Sequence, residues 1–453
     1  MQCGKARPLP QGTCVMPLRP LRPLLAGLLV GLLAAAPLPA AAEGVAIALL
    51  TERTGPAAAT GIPLANGFAD YLTMLNQRDG GLGGQRVTVT ECETGGNLER
   101  GLACYEEARR AGAVAINPGG VDLALALLGR SAADRIPLVS VPAGPALAAA
   151  GQRFPYAFAP PATAWDGLTV ALAFLTNAPE GLEGRRVAYL HRDTPAGRDP
   201  VPVMEGLAGE LGFSLRSYAL PEPPEGAGIW RGVKAASPDI LILDGSAGLA
   251  GDPVGDARAA GIPLNRVIAL GSPSAEALRQ AGPAARGFRE ITWHAATDSF
   301  PAFDQIDLLA IDAGLSRTEK DEATGLLYNR GVYAAVVTAE GIRNAQRRAR
   351  GEPLDGDAVR RGLEAVQIDG ARWKELGLTG FAATLRLSCG DHSGHLAGLV
   401  LEWNGAKWVQ VSDKIAPLRQ RLRPRLEAAA RAFVEGAAAG GPWPERPEPC
   451  ERS

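Results

Sequence analysis

Aromatic residues make up only 5% of this 453-residue chain, histidine occurs four times, and the formal net charge is −2. A chain this close to neutrality gives no electrostatic footprint for a nucleic acid or other polyanion. Catalytic signatures are also missing. There is no Gly-x-Ser-x-Gly elbow, no His-Glu-x-x-His, no Gly-x-x-x-x-Gly-Lys-Ser/Thr loop and no Rossmann glycine fingerprint, so the sequence offers no reaction to argue from. The longest early apolar run, residues 24–36, is too short to span a bilayer as a stop-transfer helix. A mean hydropathy of +0.01 argues against a polytopic membrane protein.

What is there begins with an export pattern. Lys5, Arg7, Arg19 and Arg22 precede the apolar run, and Pro39-Ala40-Ala41-Ala42 then leads into Glu43. Charged, apolar and small-residue segments in that order predict a secretory signal cleaved near Ala42 and a periplasmic product. The alternative, a membrane anchor, is opposed by Pro37 and Pro39, which break the segment early. Cys3 and Cys14 would leave with the signal, and Met16 offers a second start. Cys92, Cys104, Cys389 and Cys450 remain. Four cysteines in an oxidising compartment allow three pairings. The expected one closes a short loop from Cys92 to Cys104 and leaves Cys389 to staple the tail through Cys450. A loop of that size is worth about 3 kcal/mol in the chain-entropy model. Free thiols are the alternative.

The 46% apolar content supports a large core, and the exported length suffices for two domains. Strand-like and helix-like runs alternate. Residues 45–50, 86–90, 113–116 and 137–141 read as strands. Helical spacing fills the intervals, through Ile62, Ala65, Phe68, Leu72 and Leu75, then 98–110 and 122–133. The pattern restarts after 154–158, with helices near 165–175 and 201–211. Its strands fall near 186–190, 213–218, 239–244 and 266–270. Such β-α repeats imply parallel sheets covered on both faces. Pro160-Pro161 and the stretch near Trp293 are the expected crossovers. Beyond Phe300 come helices over 326–350 and 356–366, strands over 398–402 and 407–411 about an Asn404-Gly405 turn, and an Arg-rich helix over 418–434 packed on one lobe. The tail from 440 is Gly/Pro-rich and pinned only through Cys450.

Several segments resemble the solute-binding proteins of branched-chain amino-acid-type ABC importers, the leucine-binding family. They are Leu50-Thr51, Thr54-Gly55-Pro56, Asn66-Gly67, Glu91-Cys92-Glu93-Thr94, Cys104-Tyr105-Glu106, Phe154-Pro155-Tyr156, Tyr328-Asn329-Arg330-Gly331-Val332, Ser388-Cys389-Gly390-Asp391-His392 and Trp403 to Trp408. The resemblance implies an α/β clamshell of the type I periplasmic binding fold, two doubly wound parallel-sheet lobes joined by a three-strand hinge. Residues 43–160 with 296–387 would form one lobe. Residues 161–295 with 388–416 would form the other, and 417–453 a C-terminal helix and disulfide-pinned tail. A small-molecule ligand would sit between the lobes at the strand ends. Closure would present the loaded protein, a monomer without cofactor or metal, to ABC permease subunits.

The pocket departs from the family. Hydroxyl side chains that hold amino acids there are largely replaced. The stretches are Asn117-Pro118-Gly119-Gly120-Val121-Asp122, Ser140-Val141-Pro142-Ala143-Gly144-Pro145, Thr194-Pro195-Ala196-Gly197, Asp244-Gly245-Ser246 and Gly271-Ser272-Pro273-Ser274. Candidate ligand contacts are therefore Thr54, Gly119, Gly120, Asp122, Ala143, Gly144, Trp165, Ala196, Asp244, Ser272 and Tyr333. Gly119 and Gly120 would offer backbone donors to an anion at a helix N-terminus. For Trp165 and Tyr333 the alternative is core packing, and for Asp122 helix capping. His191 either faces the crevice or lies on the surface. The lost hydroxyls point away from an amino acid, toward an organic acid, amide or alcohol-derived metabolite. Cys389-x-Asp391-His392-x-x-His395 has zinc-like spacing but is better spent on the disulfide. Import is the leading function. A ligand-sensing receptor subunit on the same clamshell is the alternative, and an exported hydrolase would need a nucleophile-base pair in the crevice.

Overall fold

The computed structural model describes residues 44–141, 144–221, 227–245, 252–271, 275–394, 397–437, 442–444, 446 and 448–450. The chain builds two sheets. The first holds β1 (Val45–Thr51), β2 (Val87–Glu93), β3 (Ala115–Asn117), β4 (Leu138–Val139) and β5 (Ala157–Phe158), in the order β2-β1-β3-β4-β5 and all parallel. Its connections are α1 (Ala58–Asp79), α2 (Leu98–Arg110) and α3 (Val121–Asp134). α1 stops at Gly80, whose φ of 68° is the left-handed conformation that glycine adopts without strain. α2 starts on Asn97, whose side chain accepts the Arg100 amide.

After β5 the chain crosses over into α4 (Ala164–Thr176). A reciprocal capping box fixes that start. Thr163 accepts from the Asp166 amide, and the Asp166 carboxylate accepts from the Thr163 amide. The second sheet follows: β6 (Arg186–Arg192), α5 (Pro195–Arg198), α6 (Val201–Leu211), β7 (Ser214–Leu220), α7 (Ala227–Ala236), β8 (Ile240–Leu243), α8 (Pro253–Ala259), β9 (Val267–Ala269), α9 (Ala275–Ala281) and β10 (Arg289–Thr292). The sheet ends on two antiparallel strands from far along the chain, β13 (Leu399–Trp403) and β14 (Trp408–Gln410), in the order β14-β13-β10-β9-β8-β6-β7.

The chain returns to the first lobe through α10 (Pro301–Ile306), α11 (Leu326–Ala349), α12 (Gly356–Leu363) and α13 (Gly370–Glu375), with the short ribbon β11 (Gln367–Ile368) and β12 (Leu385–Arg386). β13 (Leu399–Trp403) and β14 (Trp408–Gln410) then go back to the second sheet, and α14 (Arg419–Ala437) closes the helix series. α1 and α11 pack backbone to backbone. A methyl group at Gly67 would stand 2.1 Å from the Tyr328 carbonyl, and one at Gly331 would stand 2.2 Å from that of Leu64. The two glycines are there because only hydrogen fits between the helices. One core joins α1, α10 to α13 and the first sheet, and separate apolar clusters line the two faces of the second sheet. The fold is the two-lobed type I periplasmic binding architecture, with three chain passages between the lobes.

Both disulfides have the expected pairing, Cys92–Cys104 and Cys389–Cys450. The zinc-like cluster is thereby dissolved. Cys389 is spent, and His392 stacks on Phe158 and donates Nδ1–H to the Ala157 carbonyl. His395 and the signal segment lie outside the described residues.

Candidate functional site

The carboxyl ends of β1, β3 and β6 bring their following segments together across the gap between the lobes. From the first lobe come Glu52, just past β1, and Asp122 in the first turn of α3. From the second come Arg192, Thr194 and Ala196 after β6. The lobes touch directly, for the Asp122 carboxylate accepts the Ala196 amide at 3.0 Å. A cavity of about 790 Å3 opens beside that contact, lined by Gly96, Leu98, Asp122, Arg192, Thr194 and Pro195 among others.

Glu52 occupies the place where the sequence suggested an anion would bind. A Cβ on Gly120, the N-cap of α3, would lie 2.7 Å from its Oε1, and one on Gly119 would lie 3.4 Å from its Cγ. The glycines thus make room for the chain's own carboxylate. Gly119 also admits the Leu50 carbonyl, which a Cβ there would meet at 2.5 Å. Burial pushes the Glu52 carboxyl above its ordinary range. Arg192 opposes that shift, and the charges of Glu93 and Asp122 reinforce it.

A second acidic group lies deeper in the other lobe. Asp244, at the end of β8, is fully buried and accepts the Tyr189 hydroxyl at 2.7 Å. Asp199, at the C-terminus of α5, is raised to about 7 by burial, and the Asp244 charge adds to the shift. The Trp165 indole is directed at Asp199 and partly offsets it, without closing to a hydrogen bond. His191 is buried beside this group. It donates Nδ1–H to the Arg192 carbonyl at 2.8 Å and lies against Tyr189. Two groups result: Glu52, Asp122 and Arg192 beside the contact between the lobes, and Asp199 with the buried Asp244 inside the second lobe.

Not every expected contact is brought here. Asp122 and Ala196 meet across the lobes, with Gly119 and Gly120 beside them against Glu52, whereas Asp244 is buried against Tyr189 and Trp165 lies toward Asp199 and lines a separate cavity with Asp166 and Arg419. Tyr333 is fully buried in the first lobe, packed against Trp373, Phe381 and His294, on a helix that is buried along most of its length. Thr54 is exposed, and its hydroxyl is turned to Glu93 at 2.9 Å. Gly144 is a packing position, bridged to Thr163, where a Cβ would stand 2.2 Å from that of Ala159. Ala143 and Ser272 lie outside the described residues. Glu52, Asp199 and Tyr189 had no signal in the sequence, since nothing local marks them and only the tertiary fold collects them.

Comparison with known proteins gives a consistent answer. A family model described as "Periplasmic binding protein" matches residues 44–407. A search of curated proteins found no match. Among solved structures, one from the Pseudomonas fluorescens group, described as an ABC transporter permease, is 32% identical. It covers 90% of this chain and 100% of its own, with a TM-score of 0.78. A branched-chain amino acid ABC transporter structure from Thermus thermophilus with bound valine is 19% identical over 84% of this chain and 99% of its own, TM-score 0.68. A fatty acid ABC transporter substrate-binding protein from Thermomonospora curvata is 15% identical over 84% and 94%, TM-score 0.66.

Proposed function

The chain belongs to the periplasmic binding protein family, and from that premise we propose that it is the exported solute-binding component of an ABC importer. Its signal would be cleaved near Ala42. Residues 43–160 with 296–387 and 161–295 with 388–416 would act as the two lobes, and 417–453 as the C-terminal appendage. It captures a small molecule between the lobes, performs no chemistry on it, and hands it to membrane permease subunits.

The ligand carries hydrogen-bond-donating or cationic groups and no free carboxylate. The observation that carries this reading is Glu52, whose carboxylate sits against Gly120 at the N-terminus of α3, where an anionic ligand would otherwise be held. A ligand carboxylate would have to displace it and sit beside Asp122, which lines the cavity between the lobes. Like charges at that range are strongly disfavoured in a partly desolvated site. An organic acid is therefore set aside, as is an amino acid held by its carboxylate. Amides, amines and polyols remain. The valine bound to the Thermus relative and the fatty acid named for the Thermomonospora one do not transfer to this crevice.

A thermal-shift titration of the mature protein, disulfides intact, tests the reading. The panel sets alkyl amines, amides and polyols beside leucine, valine and short carboxylic acids. A ligand at 100 times its dissociation constant adds about 2.7 kcal/mol of stability, a shift of a few degrees for a chain this size. Stabilisation by carboxylate-free donors is expected. Stabilisation by the carboxylates alone would overturn the assignment of the ligand.

A further inference from the structure

The sequence marked the Arg-rich C-terminal helix as covering one lobe, but α14 crosses both. Its first half belongs to the second lobe. Leu422, Leu426 and Ala429 join the apolar cluster of α4 and α6, and Arg421 and Arg425 reach Glu210 on α6. Gly206 of α6 leaves the space that the Arg425 guanidinium fills. Arg419 ties this end to the hinge, pairing with Asp166 at the start of α4 at 2.8 Å and with Asp391 of the third passage at 3.0 Å.

The second half of α14 belongs to the first lobe. Ala430 is fully buried, and Phe433 and Val434 pack with it against Leu128 of α3, Leu147 and Phe154. The tail extends that hold. Trp443 stands edge-on to both Phe154 and Phe433, at 5.5 and 5.8 Å, and donates its indole N–H to the Arg153 carbonyl. Arg446 reaches Glu364 at 2.5 Å and the Gly151 carbonyl at 3.1 Å. Burial would raise the Glu364 carboxyl, but His392, Arg446 and Arg360 hold it down at about 2, so this anchor stays ionised at any ordinary pH. The Cys389–Cys450 disulfide then fixes the end of the chain to the third passage.

We propose that α14 and the tail form a strap that limits how far the two lobes open. A hinge motion that parts the lobes must pull α14 off the α4–α6 cluster or off Phe154 and Leu128, and the tail anchors oppose the second route. The strap raises the population of the closed state before any ligand arrives. A binding-competent state that is already populated removes part of the conformational cost of binding and slows release. The inference rests on the two-lobe fold and not on the identity of the ligand.

Pulsed electron-electron distance measurement tests it without a ligand. Spin labels are carried on genetically encoded, cysteine-free residues at Arg110 of α2 and Arg231 of α7, both exposed. The full mature chain should give a narrow distribution. The double substitution Cys389→Ala/Cys450→Ala should broaden it toward longer distances. Arg446→Ala, which leaves every cysteine paired, should do so to a smaller degree and serves alone if the first variant fails to fold. Distributions unchanged from the parent in the folded variants would overturn the strap. Failure of every panel compound to bind would leave this result standing, so the two proposals fail separately.

Discussion

Asp199 shows how much a single side chain depends on its tertiary surroundings. In sequence it follows Gly197-Arg198 with no pattern to mark it, and its ordinary carboxyl pKa would be near 3.9. In the fold, burial and the neighbouring Asp244 raise it to about 7. The sign of the consequence is fixed by linkage. Between pH 4 and 7 the native state keeps a proton that the unfolded chain has lost, so stability falls as pH rises through that window. Asp199→Asn should flatten this segment of the profile of melting temperature against pH. A parallel profile in the variant would show that Asp199 is not the titrating group. Glu52 was passed over in the sequence for a similar reason. The neighbouring Thr51 and Thr54-Gly55-Pro56 carry the family resemblance, while Glu52 acquires meaning only when α3 is brought against β1. Asp122 and Asp244 could at least be placed from the sequence, because each follows a strand of a parallel sheet; Asp122 reaches Ala196 of the other lobe, while Asp244 is buried against Tyr189.

At the scale of elements, the legible parts were those with a clean period. β1, β2 and β6, and the helices α1, α2, α6 and α11, follow runs whose apolar spacing admits one reading. β10 did not. Its Arg289-Glu290-Ile291-Thr292 looks like a surface segment, yet Glu290 is fully buried and the strand pairs on both sides, with β9 and β13. Helices α7, α8 and α9 were missed: α8 and α9 are only seven residues long, too short to show a period, and in α7 the spacing of Ile229, Trp230 and Val233 was there to be read. The α1–α11 contact is the element-level feature with the sharpest consequence. Gly331→Ala must push apart two backbones that a Cβ would approach within 2.2 Å. Overpacking of this kind costs about 1–3 kcal/mol or more, and should appear as a lowered midpoint in denaturant with little change in slope. An unchanged midpoint would mean that the helices can separate freely.

At the scale of the whole molecule, the two-lobe architecture was readable from the repeat of β-α units and the family resemblance, while the cysteine count left three pairings, of which the expected one, with the short Cys92–Cys104 loop, is formed. The reach of α14 was not readable. A helix rich in arginine reads as solvated, and nothing local tells that its two halves find different lobes. The exported character rests on membership of an exported family and on the two disulfides. Among the described residues no helix is long and apolar enough to cross a membrane. The contact between the lobes likewise belongs to the assembled molecule, since Glu52 and Asp122 come from one lobe and Arg192 and Ala196 from the other. The most direct test is a crystal structure of the mature protein with the panel compound that stabilises it best. The account predicts the ligand between the lobes, its donor groups within hydrogen-bond reach of Glu52 or Asp122, and Glu52 still against Gly120. A ligand carboxylate seated at Gly119 and Gly120 with Glu52 swung aside would contradict it, as would a ligand bound outside the crevice.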